Sequence, residues 1–238
     1  MGKIKYKRIL LKLSGEVFGG EKGYGIDGAV LKNLAAEVIH AQKMGCQIGV
    51  VIGGGNIWRY RDFKNLEFDR VTSDHMGMLA TLMNALAFEN ALRQAGADAR
   101  AVSSFPCNRA MEEYQPKRAK HHLNSGRIVI FAGGTGSPFF TTDSAAALRA
   151  LEMDCDILLK ATKVDYVYDK DPVKFKNAKK FTSLTYKEIV ARGLGVMDLT
   201  CASLLQESNI PMLVFNLQKK GSIEKAITGA TMGTLITS

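Results

Sequence analysis

The chain has 238 residues, 46% of them hydrophobic, and a formal charge of +9 at pH 7. That length suits one α/β domain over residues 1–238 better than two small ones. Such a domain buries roughly 70% of its unfolded surface and needs no disulfide or metal staple.

In chain order, the apolar run at 9–13 predicts a buried strand that carries Lys12 near its end and leads into Ser14 and Gly15. A lysine inside an apolar strand is costly unless its ammonium emerges to meet an anion. Asp27 then reads as an N-cap, with Leu31, Leu34, Ala35, Val38 and Ile39 on one helical face before Gly45. A strand at 48–52 empties into Gly53, Gly54, Gly55 and Asn56, with Arg59 and Arg61 just beyond. Glycines let a backbone approach phosphate without Cβ interference, and the planar fork of either arginine suits bidentate phosphate binding.

Asp74 precedes an apolar stretch at 76–88 and reads as an N-cap. The stretch itself is apolar nearly all round, which fits a central core helix or a helix between subunits. Its three methionines suit a self-association surface. It is too short, and too interrupted by Gly77, Thr81 and Asn84, to span a bilayer.

Strands follow at Ala99–Ser103 and Ile128–Ala132, the second running into Gly133-Gly-Thr-Gly-Ser-Pro-Phe-Phe-Thr-Thr-Asp143 and a helix at 145–151. A glycine-rich turn between strand and helix exposes N–H groups at the positive end of a helix dipole, an arrangement that binds anions. A strand at 157–160 ends on Lys160, facing the same edge as Lys12. Val164 to Tyr168 is bounded by polar residues and Asp171-Pro172, and reads as an exposed excursion or hairpin. A strand at 212–215 completes the set.

Short apolar strands alternating with helices predict a mostly parallel sheet covered on both faces, a three-layer α/β/α sandwich. Ligands of such sheets sit outside the carboxyl ends of the strands. The turns around Ser14, Gly54 and Gly136 are therefore expected at one rim, where they would hold a nucleotide. Neither the Walker A pattern nor the strand-linked Rossmann fingerprint is present.

The positive charge admits nucleic acid or small polyanions as partners. The lysine cluster at 117–120 contains no aromatic and that at 174–180 only Phe175, unlike the repeated aromatic interleaving of single-strand binders. Cys46, Cys107, Cys155 and Cys201 lack metal-site or disulfide spacing, and His40, His75, His121 and His122 read as structural or surface residues. The N-terminus enters a strand directly rather than reading as a signal peptide, so the cytoplasm is the expected compartment.

Five ordered motifs resemble the bacterial uridylate kinases of the amino-acid-kinase fold. They are Lys12-Leu13-Ser14-Gly15, Gly53-Gly-Gly-Asn56 followed by Arg59, Asp74-His-Met-Gly-Met-Leu79, Thr135-Gly-Ser-Pro-Phe-Phe-Thr-Thr-Asp143 and Lys160-Ala-Thr-Lys-Val-Asp165, with Gly233-Thr-Leu-Ile236 near the end. The resemblance implies transfer of the ATP γ-phosphoryl group to UMP, with Mg²⁺, in a homohexamer serving pyrimidine nucleotide synthesis. It assigns Lys12, Leu13, Ser14, Gly15, Gly55, Arg59, Thr162, Tyr168 and Asp171 to ATP. It assigns Gly54, Asp74, Thr135, Gly136, Ser137, Pro138, Phe139, Phe140, Thr141 and Thr142 to UMP, with Asp74 on the ribose hydroxyls.

Lys12 and Lys160 are the cations of the transfer by the same resemblance, while Asp143 and Asp198 orient a lysine or a Mg²⁺-bound water. Gly23, Tyr24, Gly25, Ile26 and Asp27 match a loop linked to GTP activation, and UTP inhibition is also implied. Glu89 stands where some GTP-responsive relatives carry arginine, and its charge opposes that activation. The acceptor is a phosphate oxygen, largely ionised at neutral pH because the second pKa is about 6. No Ser/His/Asp set is needed; positioning, cations and backbone donors should do the work. The alternatives are a same-fold kinase acting on carbamate or an amino-acid carboxylate, a non-catalytic nucleotide binder, and a nucleic-acid-binding protein.

Overall fold

A computed structural model describes residues 3–59 and 68–238; Arg61 lies outside the described residues. The chain opens with β1 (Arg8–Leu13), α1 (Gly15–Phe18), a 3₁₀ turn (Gly20–Lys22), α2 (Gly28–Lys43) and β2 (Gln47–Ile52). It continues with α3 (Arg70–Gln94), β3 (Ala99–Ser103), β4 (Glu112–Glu113), α4 (Pro116–Asn124), β5 (Ile128–Ala132) and α5 (Thr142–Glu152). Then come β6 (Ile157–Thr162), β7 (Val167–Tyr168), β8 (Lys180–Phe181), β9 (Ser183–Thr185), α6 (Tyr186–Ala191) and α7 (Leu199–Ser208). The last elements are β10 (Met212–Asn216), α8 (Ser222–Thr228) and β11 (Thr234–Thr237).

Nine strands form one sheet in the order β4-β3-β5-β2-β1-β6-β10-β11-β9. Every pairing in it is parallel except β10 with β11. Side chains alternate across a strand, so Ile9, Leu11 and Leu13 of β1 join the core under α2, α3 and α8. Leu10 and Leu158 point the other way, into the core under α4, α5, α6 and α7. Each fully buried leucine or isoleucine contributes about 1.5–3 kcal/mol relative to exposure. The expected sandwich is therefore observed, with both faces of the sheet covered.

Several expected boundaries move. The ladders of β1, β2, β6 and β10 run one or two residues past the apolar runs, because backbone pairing continues through polar side chains. Asp27 caps α2 as expected, its Oδ1 accepting from Ala29 N and Val30 N. The N-cap of α3, however, is Asp69, which accepts from Thr72 N at 3.0 Å. Asp74 lies inside the helix, so its capping reading is set aside.

One face of α3 packs Met78, Leu82, Ala85, Phe88 and Leu92 into the core, while Leu79, Met83 and Leu86 are exposed. Of the 164–168 excursion, only Val167 and Tyr168 are strand. They pair antiparallel with Lys180 and Phe181, and Val167 returns to the core.

Candidate active site

The sheet register builds the centre of the site. Lys12 of β1 sits opposite Lys160 of β6, and both share the parity that points away from α2 and toward α5. Two ammonium groups side by side repel, and Asp143 in the first turn of α5 bridges them. Lys12 Nζ lies 2.9 Å from Asp143 Oδ1, and Lys160 Nζ lies 2.5 Å from Oδ2; Lys160 also donates to Val196 O.

Burial alone would raise the Asp143 carboxyl, but the charges of Lys12 and Lys160 outweigh it and hold the group below the usual carboxylate range. Burial lowers Lys160 below the ordinary 10.5; Asp143 opposes that shift and Lys12 adds to it. Asp143 Oδ1 is a buried atom without an aligned hydrogen-bond donor, its contact with Lys12 being an ion pair.

Two helix starts face this triad. Thr141 caps α5, accepting from Asp143 N and Ser144 N, and its hydroxyl donates to Asp198. Asp198 caps α7 through Cys201 N at 2.9 Å and accepts from Ser144 Oγ at 2.7 Å. Burial would raise the Asp198 carboxyl, and these hydrogen bonds more than reverse it. Asp198 thus braces the α5 start, whereas Asp143 holds the lysines.

The glycine turns converge as the strand pattern requires. A Cβ on Gly15 would lie 2.5 Å from Gly53 O and 2.6 Å from Gly55 N, so only glycine allows the first two turns to touch. A Cβ on Gly53 would lie 3.5 Å from Thr142 Oγ1, which brings the third turn to the same place. A Cβ on Gly54 would meet Gly77 O at 2.6 Å, so α3 lies directly behind the loop.

On one side of the triad, Asp74 accepts from Phe139 N at 2.7 Å and from Arg70 Nε at 2.8–2.9 Å. Phe139 adopts φ 70°, a left-handed conformation that turns residues 136–140 over Asp74. Phe139 and Phe140 are both exposed. Thr135 Oγ1 accepts from Ser137 N and donates to Ser137 O, folding the turn on itself. Deeper, Thr81 Oγ1 accepts from Gly133 N at 2.7 Å, and Ser104 Oγ donates to Gly134 O at 2.7 Å. The buried Arg149 guanidinium supports Ser104 and stacks 3.9 Å from the Tyr114 ring.

On the other side, Arg59 donates to Gly55 O at 2.5 Å and pairs with Glu16 at 2.8 Å. Lys163 reaches the same carboxylate at 3.3 Å. Thr162 ends β6, its hydroxyl donating to Val164 O at 2.8 Å. Tyr168 lies on the β7–β8 ribbon and Asp171 caps the turn beyond it, accepting from Val173 N. A groove of about 960 Å³ opens beside Thr162 and Lys163 and runs between α2 and α8. The turn at 23–27 is tied to the second glycine turn, Gly25 N donating to Asn56 O at 2.8 Å.

Glu16, Lys163, Arg70 and Arg149 were absent from the sequence-based candidates. Glu16 follows Gly15 directly and Lys163 stands inside the 160–165 motif, so adjacency to a motif was their signal. Arg149 carries no such mark, since Ser104 and Tyr114, the residues that it supports, are over thirty residues away in sequence.

A strand-edge site with two lysines, a bridging carboxylate and three glycine turns defines a phosphate-handling enzyme outside the P-loop class. The family model of the Amino acid kinase family matches residues 7–216, and the chain belongs to that family. A uridylate kinase of Xanthomonas campestris pv. campestris is 51% identical over 236 residues, covering 99% of this chain and 98% of the relative. The crystal structure of UMP kinase from Bacillus anthracis matches with a TM-score of 0.95 at 38% identity, over 98% of this chain and 96% of that one. UMP kinase from Ureaplasma parvum matches with a TM-score of 0.93 at 35% identity, over 99% and 100%. Within the family, the chain falls among the uridylate kinases.

Proposed function

We propose that this protein transfers the γ-phosphoryl group of ATP to UMP, as one catalytic domain over residues 1–238. The observation that carries this reading is the Lys12–Asp143–Lys160 triad lying where three glycine turns meet. ATP occupies the Arg59 side, with phosphates on Lys12, Leu13, Ser14, Gly15, Gly55 and Arg59 and the nucleoside toward Thr162, Tyr168 and Asp171. UMP occupies the Asp74 side, its ribose on Asp74 and its phosphate and base within 135–142 and against Gly54. The acceptor oxygen is already ionised, so no protein base acts. Lys12 and Lys160 stabilise charge on the transferring group, and aligned glycine N–H groups hold its equatorial oxygens.

A Mg²⁺ ion brought in with the nucleotide would be held by substrate phosphates and water, with Asp143 the carboxylate at the centre of the site. Among the described residues no cluster of three or more carboxylate, histidine or cysteine ligands exists. The buried, unaligned Asp143 Oδ1 is the acceptor that fits one of the ion's waters. Bound Mg²⁺ supplies charge neutralisation between the two polyanions.

The exposed stripe of Leu79, Met83 and Leu86 serves self-association, and we take the assembly to be a hexamer in the cytoplasm. No helix among the described residues is long and apolar enough to cross a membrane. The turn at 23–27 is the regulatory candidate, and titrating GTP at subsaturating UMP tests it. A flat response removes GTP activation, the outcome that the acidic Glu89 favours.

A coupled assay with ATP and Mg²⁺ against UMP, CMP, dUMP and carbamate tests the whole reading. ADP release with UMP is expected. Its absence in folded protein, or faster turnover of carbamate, would overturn it.

A further inference from the structure

A loop of three glycines has the greatest backbone freedom of any tripeptide, yet Gly53, Gly54 and Gly55 must present N–H groups at fixed positions between two phosphates. Something outside the loop has to hold it. We propose that the buried amide pair of Asn56 and Asn84 is that positioning device, and that it also fastens the 23–27 turn to the loop. The inference rests on the kinase reading and adds residues which that reading does not use.

Asn84 is fully buried in the middle of α3 and Asn56 is 4% exposed. An amide in such a place is costly unless its donors and acceptors are matched. Here they are. Asn84 Nδ2 donates to Asn56 Oδ1 at 2.7 Å, and Asn56 Nδ2 donates back to Asn84 Oδ1 at 3.0 Å. The second N–H of Asn84 goes to Gly53 O at 2.8 Å, and that of Asn56 goes to Gly25 O at 2.6 Å.

The network has a single polarity. Turning either amide over would set two carbonyl oxygens against each other and face an oxygen to Gly53 or Gly25. The pair therefore reads both backbones as acceptors and holds them in register. Gly53 O, pinned by Asn84, is the atom that lies 2.5 Å from where a Gly15 Cβ would stand, so the same bond sets how closely the Lys12 turn approaches. Gly25 is bonded twice to Asn56, through its N–H and its carbonyl. Displacement of the turn that carries exposed Tyr24 and Ile26 is thereby transmitted to the phosphate loop. Asn56 and Asn84 meet the loop from behind, so they act through it as positioning residues.

The test uses the full-length enzyme and two near-isosteric variants. Asn84→Asp keeps shape and removes the donors to Gly53 and Asn56. Asn56→Asp still accepts from Asn84 and leaves the Asn84 bond to Gly53 in place, but loses the donors to Gly25 and to Asn84 Oδ1. The chain's single tryptophan, Trp58, follows Asn56 by two residues and bonds back to Gly54 O at 3.0 Å, so its emission reports the loop independently of turnover.

For Asn84→Asp, kcat should fall about 10- to 100-fold, as misplacement of about an ångström does. With kcat taken per folded enzyme, both KM values should stay within a few-fold and the Trp58 emission should shift, at a cost in stability because the new carboxylate oxygen faces Gly53 O and Asn56 Oδ1. Asn56→Asp should shift Trp58 with a smaller loss of kcat, and the double variant should be less than additive. Wild-type kcat or wild-type Trp58 emission in folded Asn84→Asp would overturn the proposal, as would a kcat loss explained entirely by unfolded protein. Should Asn84→Asp not fold, Asn56→Asp decides by the same two readouts. Failure of the wild type to phosphorylate UMP would sink the kinase reading instead, leaving the Trp58 result to judge the loop.

Discussion

Lys12 and Lys160 sit where neither would be tolerated alone. Each is largely buried, and Asp143 gives each an opposite charge at hydrogen-bonding distance. Removing Lys12 leaves the Lys160–Asp143 pair intact, so Lys12→Ala should fold normally and lose about 10³-fold or more in kcat. Wild-type-like turnover in that variant would remove Lys12 from the mechanism.

Lys160 adds a pH signature. Its folded-state value lies below 10.5 because burial disfavours the charged form. Between the folded and unfolded values the unfolded chain binds more protons, so stability rises with pH there while the charge proposed to act on the transferring group is lost. The pH profile of kcat/KM should show an alkaline limb below 10.5, and Lys160→Arg should abolish that limb whatever its effect on the maximum. A limb that persists in the arginine variant would assign it elsewhere.

At the scale of elements, α3 presents three distinct surfaces. Its buried face closes the core, Asn84 holds the glycine loop, and its outer stripe of Leu79, Met83 and Leu86 repeats at i, i+4 and i+7. The core-helix reading of 76–88 describes the inner side of this element, and the exposed stripe is the side that the intersubunit reading needs. Met83→Glu places a charge on the outer side alone, since Met83 is 54% exposed. Sedimentation should show a smaller species with unchanged helix content, and an unchanged sedimentation coefficient would acquit the stripe.

What could be read from the sequence follows from distance along the chain. A strand and the glycine turn that ends it lie within about ten residues, so the three exits and both lysines were legible. The start of α3 was not, because its first turn is polar and Asp69, rather than Asp74, provides the cap. Contacts such as Glu16 with Lys163 or Asn56 with Asn84 join residues far apart in the chain and leave no local pattern.

For the molecule as a whole, the +9 charge meets substrates that are both polyanions. Attraction between them is screened over about 10 Å at 0.1 M salt. Raising salt from about 50 to 500 mM should therefore raise KM for both nucleotides more than it lowers kcat. A KM independent of salt would mean that the surface lysines contribute nothing to capture.

The pairing of β1 with β6 has an evolutionary corollary. Parity along a strand decides which helical layer a side chain enters. Losing a single residue from β1 would turn Lys12 toward the α2 and α3 core and bring a leucine to the reaction centre, with composition almost unchanged. Substitutions at the rim can therefore be explored one at a time, whereas single-residue insertions and deletions inside these two central strands should be purged from any lineage that depends on the enzyme.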